Sequence, residues 1–484
     1  MISPAAALTG SIAGAMAPPP PALPAAAPLS AAVDAMRQAR CSALLALGED
    51  GRPVGILTEQ DIARRVVFRL PPEAPISAAM SAPLLAARAE DPLWRAILLL
   101  RTHRLRHLPV LDQNGACIGL LHRAETLAAT SGRLLAHLDL LAGEDPAVKR
   151  GQAGLAAALL DEGLPAPEVV ALVSEVNLDL HRRALAGALT AAGRPPVPFT
   201  LLVMGSLGRG ESLLRPDQDN GLILGDYPDE AHAEVDAWFR GFAGSFNEAL
   251  AAAGFPLCKG GVMARNPLWR KRLPEWEAQF ALWAAKRSGA ALLFADIAFD
   301  FRAAATVGAD GTVSPGPSEA AERLRRSLSA TLARTPALLG ALAAENAKFG
   351  VGLTLFGGFR DDEPGPGTRT DLKLHGLMPL VAAARLAALR HGIAPTGTPA
   401  RLSALAAAGA INAAEAATLS EAFATLLDTL LRQQLADHAA GRDPGTLVDT
   451  DALPREGRNR LRAALKAVRS FSQGVWAEFS GRPW

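Results

Sequence analysis

The apolar positions of the chain follow two rhythms, with a duplication laid over them. Short apolar runs closed by turn residues, at 44–47, 201–204 and 222–224, predict buried strands. Val169, Leu172, Val173, Val176 and Leu180 recur at helical spacing and predict one core-facing helix stripe within 145–195. Further helical stretches are expected at 229–253, 318–350 and 370–480, with Pro364-Gly365-Pro366-Gly367 marking a loop. The duplication lies in the first third of the chain. A run at 44–47, a Gly-Glu-Asp-Gly turn and residues 55–62 are echoed by 107–111, an Asp-Gln-Asn-Gly turn and 118–125. Each copy predicts helix, strand, hairpin turn, strand, helix, and such a repeat predicts two similar modules packed together.

Composition narrows the class. With 484 residues, two to four domains are expected. Lys+Arg is 49 against Asp+Glu 48, so there is no basic excess to recommend a nucleic-acid partner. Cys41, Cys117 and Cys258 are isolated, which argues against a disulfide framework or a zinc site and fits a reducing cytoplasm. No charge-free apolar run reaches the ~18 residues of a membrane span. Residues 1–27, rich in Pro and Ala and lacking a basic leader region, predict a disordered tail or stiff linker.

The densest chemistry lies in 200–224, TLLVMGSLGRGESLLRPDQDNGLIL. It predicts a strand, a Gly205-Ser206 turn, a short helix, then a second strand carrying Asp217 and Asp219. Residues i and i+2 of a strand share a face, so two carboxylates come side by side. Ionising both is costly unless a cation joins them, and Mg²⁺ takes carboxylate and phosphate oxygens together. The helix start offers N–H groups to a phosphate, Ser206 a hydroxyl and Arg209 a forked cation. An acid pair facing a phosphate cradle fits nucleotidyl transfer.

These residues, GSxGRxE followed by DQDN, resemble the nucleotidyltransferase superfamily that includes DNA polymerase beta, and most nearly the nucleotidyltransferase domain of the protein-PII uridylyltransferases. More narrowly, the chain resembles CBS-domain-containing nucleotidyltransferases. Cys258-Lys259-Gly260-Gly261-Val262-Met263-Ala264-Arg265-Asn266-Pro267 is similar to their next signature, and Thr370-Asp371-Leu372-Lys373-Leu374-His375 to the start of their substrate-binding domain. The resemblance implies an α/β plus α protein: a tail at 1–27, a tandem CBS pair at 28–135, a polymerase-beta-like nucleotidyltransferase domain at 145–310 and a helical substrate-binding domain at 318–480. It implies Mg²⁺-dependent transfer of NMP from an NTP to a protein or small acceptor, a small PII-like signalling protein among the candidates.

The superfamily also implies a third carboxylate on a later strand. Residues 292–302 are expected to form it, with Asp296 and Asp300 on one face and Asp300 preferred. In the CBS pair, Thr58 and Asp61 match the GxxTxxD signature, while His122 and Glu125 stand at those positions in the second copy. The resemblance implies adenine nucleotide bound near Thr58, Asp61 and Glu125, and a homodimer formed through the CBS pair. Helix capping by Thr58 and Asp61 is the structural alternative. At the level of the whole chain, the alternative to an enzyme is a non-catalytic nucleotide-sensing docking protein.

Overall fold

Leu29, Ala32 and Met36 point one apolar stripe inward and fix the first helix, α1, Leu29–Ala39. It packs against a sheet in which β1, Ala22–Pro24, runs parallel to β2, Ala43–Leu47, and β2 antiparallel to β3, Pro53–Thr58. The second copy repeats this plan with β4, Ala87–Arg88, the helix α2, Leu93–Thr102, and the hairpin β5, His107–Leu111, with β6, Cys117–His122, leading into α3, Arg123–Ala128. Both hairpins carry an irregularity at the same place, after Ala46 in one and after Val110 in the other. The duplication therefore extends to the register. These elements are seen in a computed structural model describing residues 12, 15–89, 93–103, 105–112, 114–128, 145–316, 318–363, 365 and 367–480.

The stretch before each module pairs with the other module. Ser81, which precedes β4, bridges Ile56 of β3, and Ala17, which precedes β1, bridges Leu120 of β6. The expected tail at 1–27 is thus corrected: Ile12 is fully buried, Ala17 is paired and Ala22–Pro24 is a sheet strand. Proline is tolerated there because a short strand at a sheet edge has few donors to lose.

The chain divides into two units, Met1–Gly143 with Asp161–Leu164, and Glu144–Leu160 with Pro165–Trp484. The second unit begins with α4, Asp145–Asp161, and α5, Ala166–Ala192. The predicted stripe from Val169 to Leu180 is buried along α5. A five-stranded sheet follows in the order β11-β10-β7-β8-β9. Its strands are β7, Phe199–Val203; β8, Asn220–Leu224; β9, Arg270–Arg272; β10, Arg302–Val307; and β11, Val313–Pro315. Between them lie α6, Gly205–Arg209; α7, His232–Ala252; α8, Leu273–Lys286; and α9, Gly289–Ala298. The predicted strand over 292–302 is a correction. Leu292, Ala295 and Ala298 face inward at helical spacing, and the chain becomes a strand only at Arg302. The brief alternation of Ile297, Phe299 and Phe301 misleads because it spans a helix end and a turn.

The remaining helices are α10, Glu319–Arg334; α11, Ala337–Asn346; α12, Met378–Arg390; α13, Thr398–Ala407; α14, Ala413–Ala439; and α15, Arg455–Ser480. A small ladder of β12, Arg369–Asp371, with β13, Leu447–Asp449, joins them. This helical part and the sheet form one compact unit rather than two, because buried ion pairs cross between them.

Candidate active site

Gln218 and Asn220 decide where the acid pair points. Both are fully buried, and Asn247 of α7 donates to Gln218 Oε1 at 2.8 Å and to Asn220 Oδ1 at 3.0 Å. Gln218 in turn donates to the carbonyls of Asn247 and Phe255. The segment is extended, so Asp217 and Asp219 alternate to the other side. Asp217 is exposed and Asp219 partly buried. The pair lies just ahead of β8 rather than on it, and Gln218 bridges Leu257. The inward amides are positioning residues that the acid motif by itself does not reveal; their sequence signal is the i, i+2 amide pair interleaved with the acids.

Across from the pair, β7 delivers α6. Gly205 has φ +57°, and a Cβ there would stand 2.6 Å from Asp219 Oδ2, so glycine lets the helix start close on the carboxylate. The first N–H groups of α6 have no partner within the helix. Ser206, Arg209 and Arg215 line one cleft with Lys373, Met378 and Phe423 of the helical part. Burial pushes the Asp219 carboxyl above the usual range, and the charge of Asp217 adds to this while the Cys258 thiol, Lys373 and Arg209 pull it back. Burial, and next the charge of Asp219, push the Cys258 thiol up to about 11.

Arg209 is committed elsewhere. Its Nε donates to Glu211 Oε2 at 2.7 Å and its Nη1 to Asp300 Oδ2 at 2.8 Å. Asp300 is fully buried and also accepts from Arg401 Nη2 at 2.7 Å and from Arg385 Nη1. Arg385 reaches Asp296 with Nε and Nη2. Burial alone would raise the Asp300 carboxyl, but Arg385, Arg401 and Arg209 hold it well below the usual carboxylate range. Asp300 as a third catalytic carboxylate is therefore corrected: it is an ion-pair centre joining α6 to α12 and α13. Asp296 is consumed in the same way. Among the described residues no cluster of three or more His, Cys, Asp or Glu stands ready for a metal. The donor set that fits Mg²⁺ is the hard-oxygen pair Asp217 and Asp219, with substrate phosphates left to complete it.

In the helical part, Asp371 accepts from the Leu374 N–H and from Thr446, so it caps and clamps. His375 hydrogen-bonds the Gly350 carbonyl, which leaves Lys373 as the member of this trio that lines the cleft.

In the first unit, Thr58 and Asp61 form a reciprocal cap. Thr58 donates through N–H at 3.0 Å and Oγ1 at 2.6 Å to Asp61 Oδ2, and the Asp61 N–H donates back to Thr58 Oγ1. Ser81 donates to the other oxygen of Asp61. A cavity beside this turn is lined by Arg37, Cys41, Ser42, Glu59, Ile62 and His122. Glu125 lies within α3, and its side chain is outside the described residues.

Residues 150–290 match the family described as Putative nucleotidyltransferase DUF294, and 336–479 match its substrate binding domain. Residues 10–68 and 76–131 match the CBS domain. The chain is a CBS-domain DUF294 protein. The DUF294 match takes in α6 and the acid pair, and the substrate-binding match takes in Lys373, so the cleft is shared by both parts. The polymerase-beta-like expectation agrees with the DUF294 match, and the CBS match begins within the stretch expected to be a tail.

A homoserine O-acetyltransferase of Methanohalophilus mahii is 32% identical over 18% of this chain and 17% of its own length. An uncharacterized protein of Methanopyrus kandleri is 29% identical over 19% of this chain and 48% of its own. The chain thus spans less than half the length of these curated relatives. Among solved structures, the CBS domain protein PAE2072 from Pyrobaculum aerophilum, complexed with AMP, is 24% identical over 27% of this chain and 98% of that one, with a TM-score of 0.24. An uncharacterized conserved protein from Pyrococcus horikoshii is 24% identical over 25% of this chain and 92% of that one, also at 0.24. No helix among the described residues is long and apolar enough to cross a membrane.

Proposed function

We propose that this protein transfers a nucleoside monophosphate from an NTP to a hydroxyl of a protein or small acceptor, in a Mg²⁺-dependent reaction governed by adenine nucleotide at the CBS pair. The observation that carries this reading is the placement of Asp217 and Asp219: two carboxylates turned outward by the buried Gln218 and Asn220, against the Gly205-Ser206 helix start. In transfer, the acceptor oxygen bonds to the α-phosphorus and pyrophosphate leaves. Asp217 and Asp219 would hold Mg²⁺, whose chemistry is to offset phosphate charge and lower the pKa of the attacking hydroxyl. Ser206 and the N–H groups at the start of α6 bind phosphate, and Lys373 brings positive charge to the same cleft from the helical part. Arg209 holds α6 in place through Glu211 and Asp300 and leaves triphosphate binding to its neighbours. Uridylyl transfer to a PII-like signalling protein, in the cytoplasm and by a dimer assembled through the CBS pair, is the reading the motifs favour.

The test is incubation of the full chain with each labelled NTP, Mg²⁺ and lysate, beside Asp217→Asn and Asp219→Asn. Both variants are expected to lose transfer and Mn²⁺ binding while melting normally. Near-normal turnover in either one sinks the catalytic reading and leaves a docking protein.

A further inference from the structure

A cavity of about 400 Å³ lies away from the transfer cleft, between α10, α11 and the loop that follows α12. Such a volume suits a small molecule. Its lining includes Phe301, Leu328, Leu332 and Ile393, interrupted by Arg325 and Arg401. Arg401 is 2% exposed. Its Nε donates to the Pro395 carbonyl and its Nη2 to Asp300, but Nη1 has no partner. A buried guanidinium N–H left unmatched is costly and calls for an acceptor.

The charge balance favours an anion. Arg209, Arg385 and Arg401 are matched by Glu211, Asp296 and Asp300. Arg325 adds a fourth cation. It stacks over Phe301 at 4.4 Å and donates to the Phe301 carbonyl, and its acidic neighbour Glu322 is 4.0 Å away and half exposed.

We propose that this cavity binds a small amphipathic carboxylate. One carboxylate oxygen accepts from Arg401 Nη1, Arg325 adds positive charge, and the apolar body packs against Phe301, Leu328, Leu332 and Ile393. The site is distinct from the proposed transfer site and does not depend on that chemistry. It is joined to it, because Asp300 is shared between Arg401 and Arg209 of α6.

Isothermal titration of the full chain with octanoate, octanol and acetate tests this. Octanoate is expected to bind one site per chain, at least about tenfold more tightly than octanol or acetate, a difference of about 1.4 kcal/mol or more. Arg401→Gln removes the anchor but also disturbs the ion pairs, so Ser329→Trp is the companion variant. Ser329 lines the cavity at an exposed helix position, and filling the space from there is expected to abolish octanoate binding without lowering the melting temperature. Equal binding of octanol and octanoate, no binding of either, or octanoate binding unchanged in Ser329→Trp would each overturn the proposal.

Discussion

Replacing Asp300 by Asn separates a structural acid from a catalytic one. The residue is fully buried and receives hydrogen bonds from Arg209, Arg385 and Arg401. Loss of its charge leaves three guanidiniums facing only Asp296 and Glu211, one unmatched charge inside the protein. Breaking a buried ion pair from one side costs about 3–5 kcal/mol. At about 2–3 °C per kcal/mol for a unit of this size, the melting temperature falls by about 10 °C. The penalty has a definite pH signature. The folded carboxyl titrates well below its unfolded value of about 3.9, so its stabilisation is complete above that pH, shrinks as the pH falls below it and is lost only once the pH passes the folded value. The gap between wild type and variant should therefore be widest near neutral pH, hold down to about pH 4 and start to narrow below it. Calorimetry of both proteins from pH 7 to pH 3 measures this. A variant that melts like wild type at pH 7 but loses all transfer would refute the structural reading and restore Asp300 as a catalytic group.

Two further outcomes are expected. The Cys258 thiol, held near 11 by burial and by Asp219, should alkylate slowly at pH 9; Asp219→Asn should speed it several-fold, read peptide by peptide in the mass spectrometer, and an unchanged rate would break the link between the two groups. In the first unit, Asp61→Asn keeps an acceptor for Thr58 but removes the charge, so titration of the full chain with AMP, ADP and ATP should show about tenfold weaker binding, about 1.4 kcal/mol, if the acid reaches the ribose; equal affinity would leave Asp61 as a cap alone.

Much of this was legible in the sequence because it rests on local rules. The stripe from Val169 to Leu180 is a helix face at its proper period, and the two hairpin modules announce themselves by their turns. The acid pair was legible because alternation in an extended segment is a local property. The fate of Arg209 and Asp300 was not. Arg209 meets Asp300 91 residues further along, and the other partners of Asp300, Arg385 and Arg401, lie 85 and 101 residues beyond it in helices whose own pattern gives no reason to single them out. Residues 292–302 failed for a related reason: a helix, a turn and a strand meet within a few residues, and a short window averages them into one alternation. Thr58 and Asp61 carried two readings at once, since a hydroxyl and an acid at a helix start serve a cap and a ribose equally well. The geometry displays the cap.

The crossing of Ala17 to Leu120 and of Ser81 to Ile56 has a consequence for how the chain is made. Synthesis runs from the N-terminus, so the first module, including the returning Ser81, can close soon after it emerges. The segment around Ala17 has no partner until β6 has left the ribosome. It must wait, unpaired, while about a hundred residues are added, and that long loop makes its closure one of the slower contacts of the unit. The beginning of the CBS pair is therefore among the later parts to dock, and loss of the bridge at Ala17 would harm the second module rather than the first.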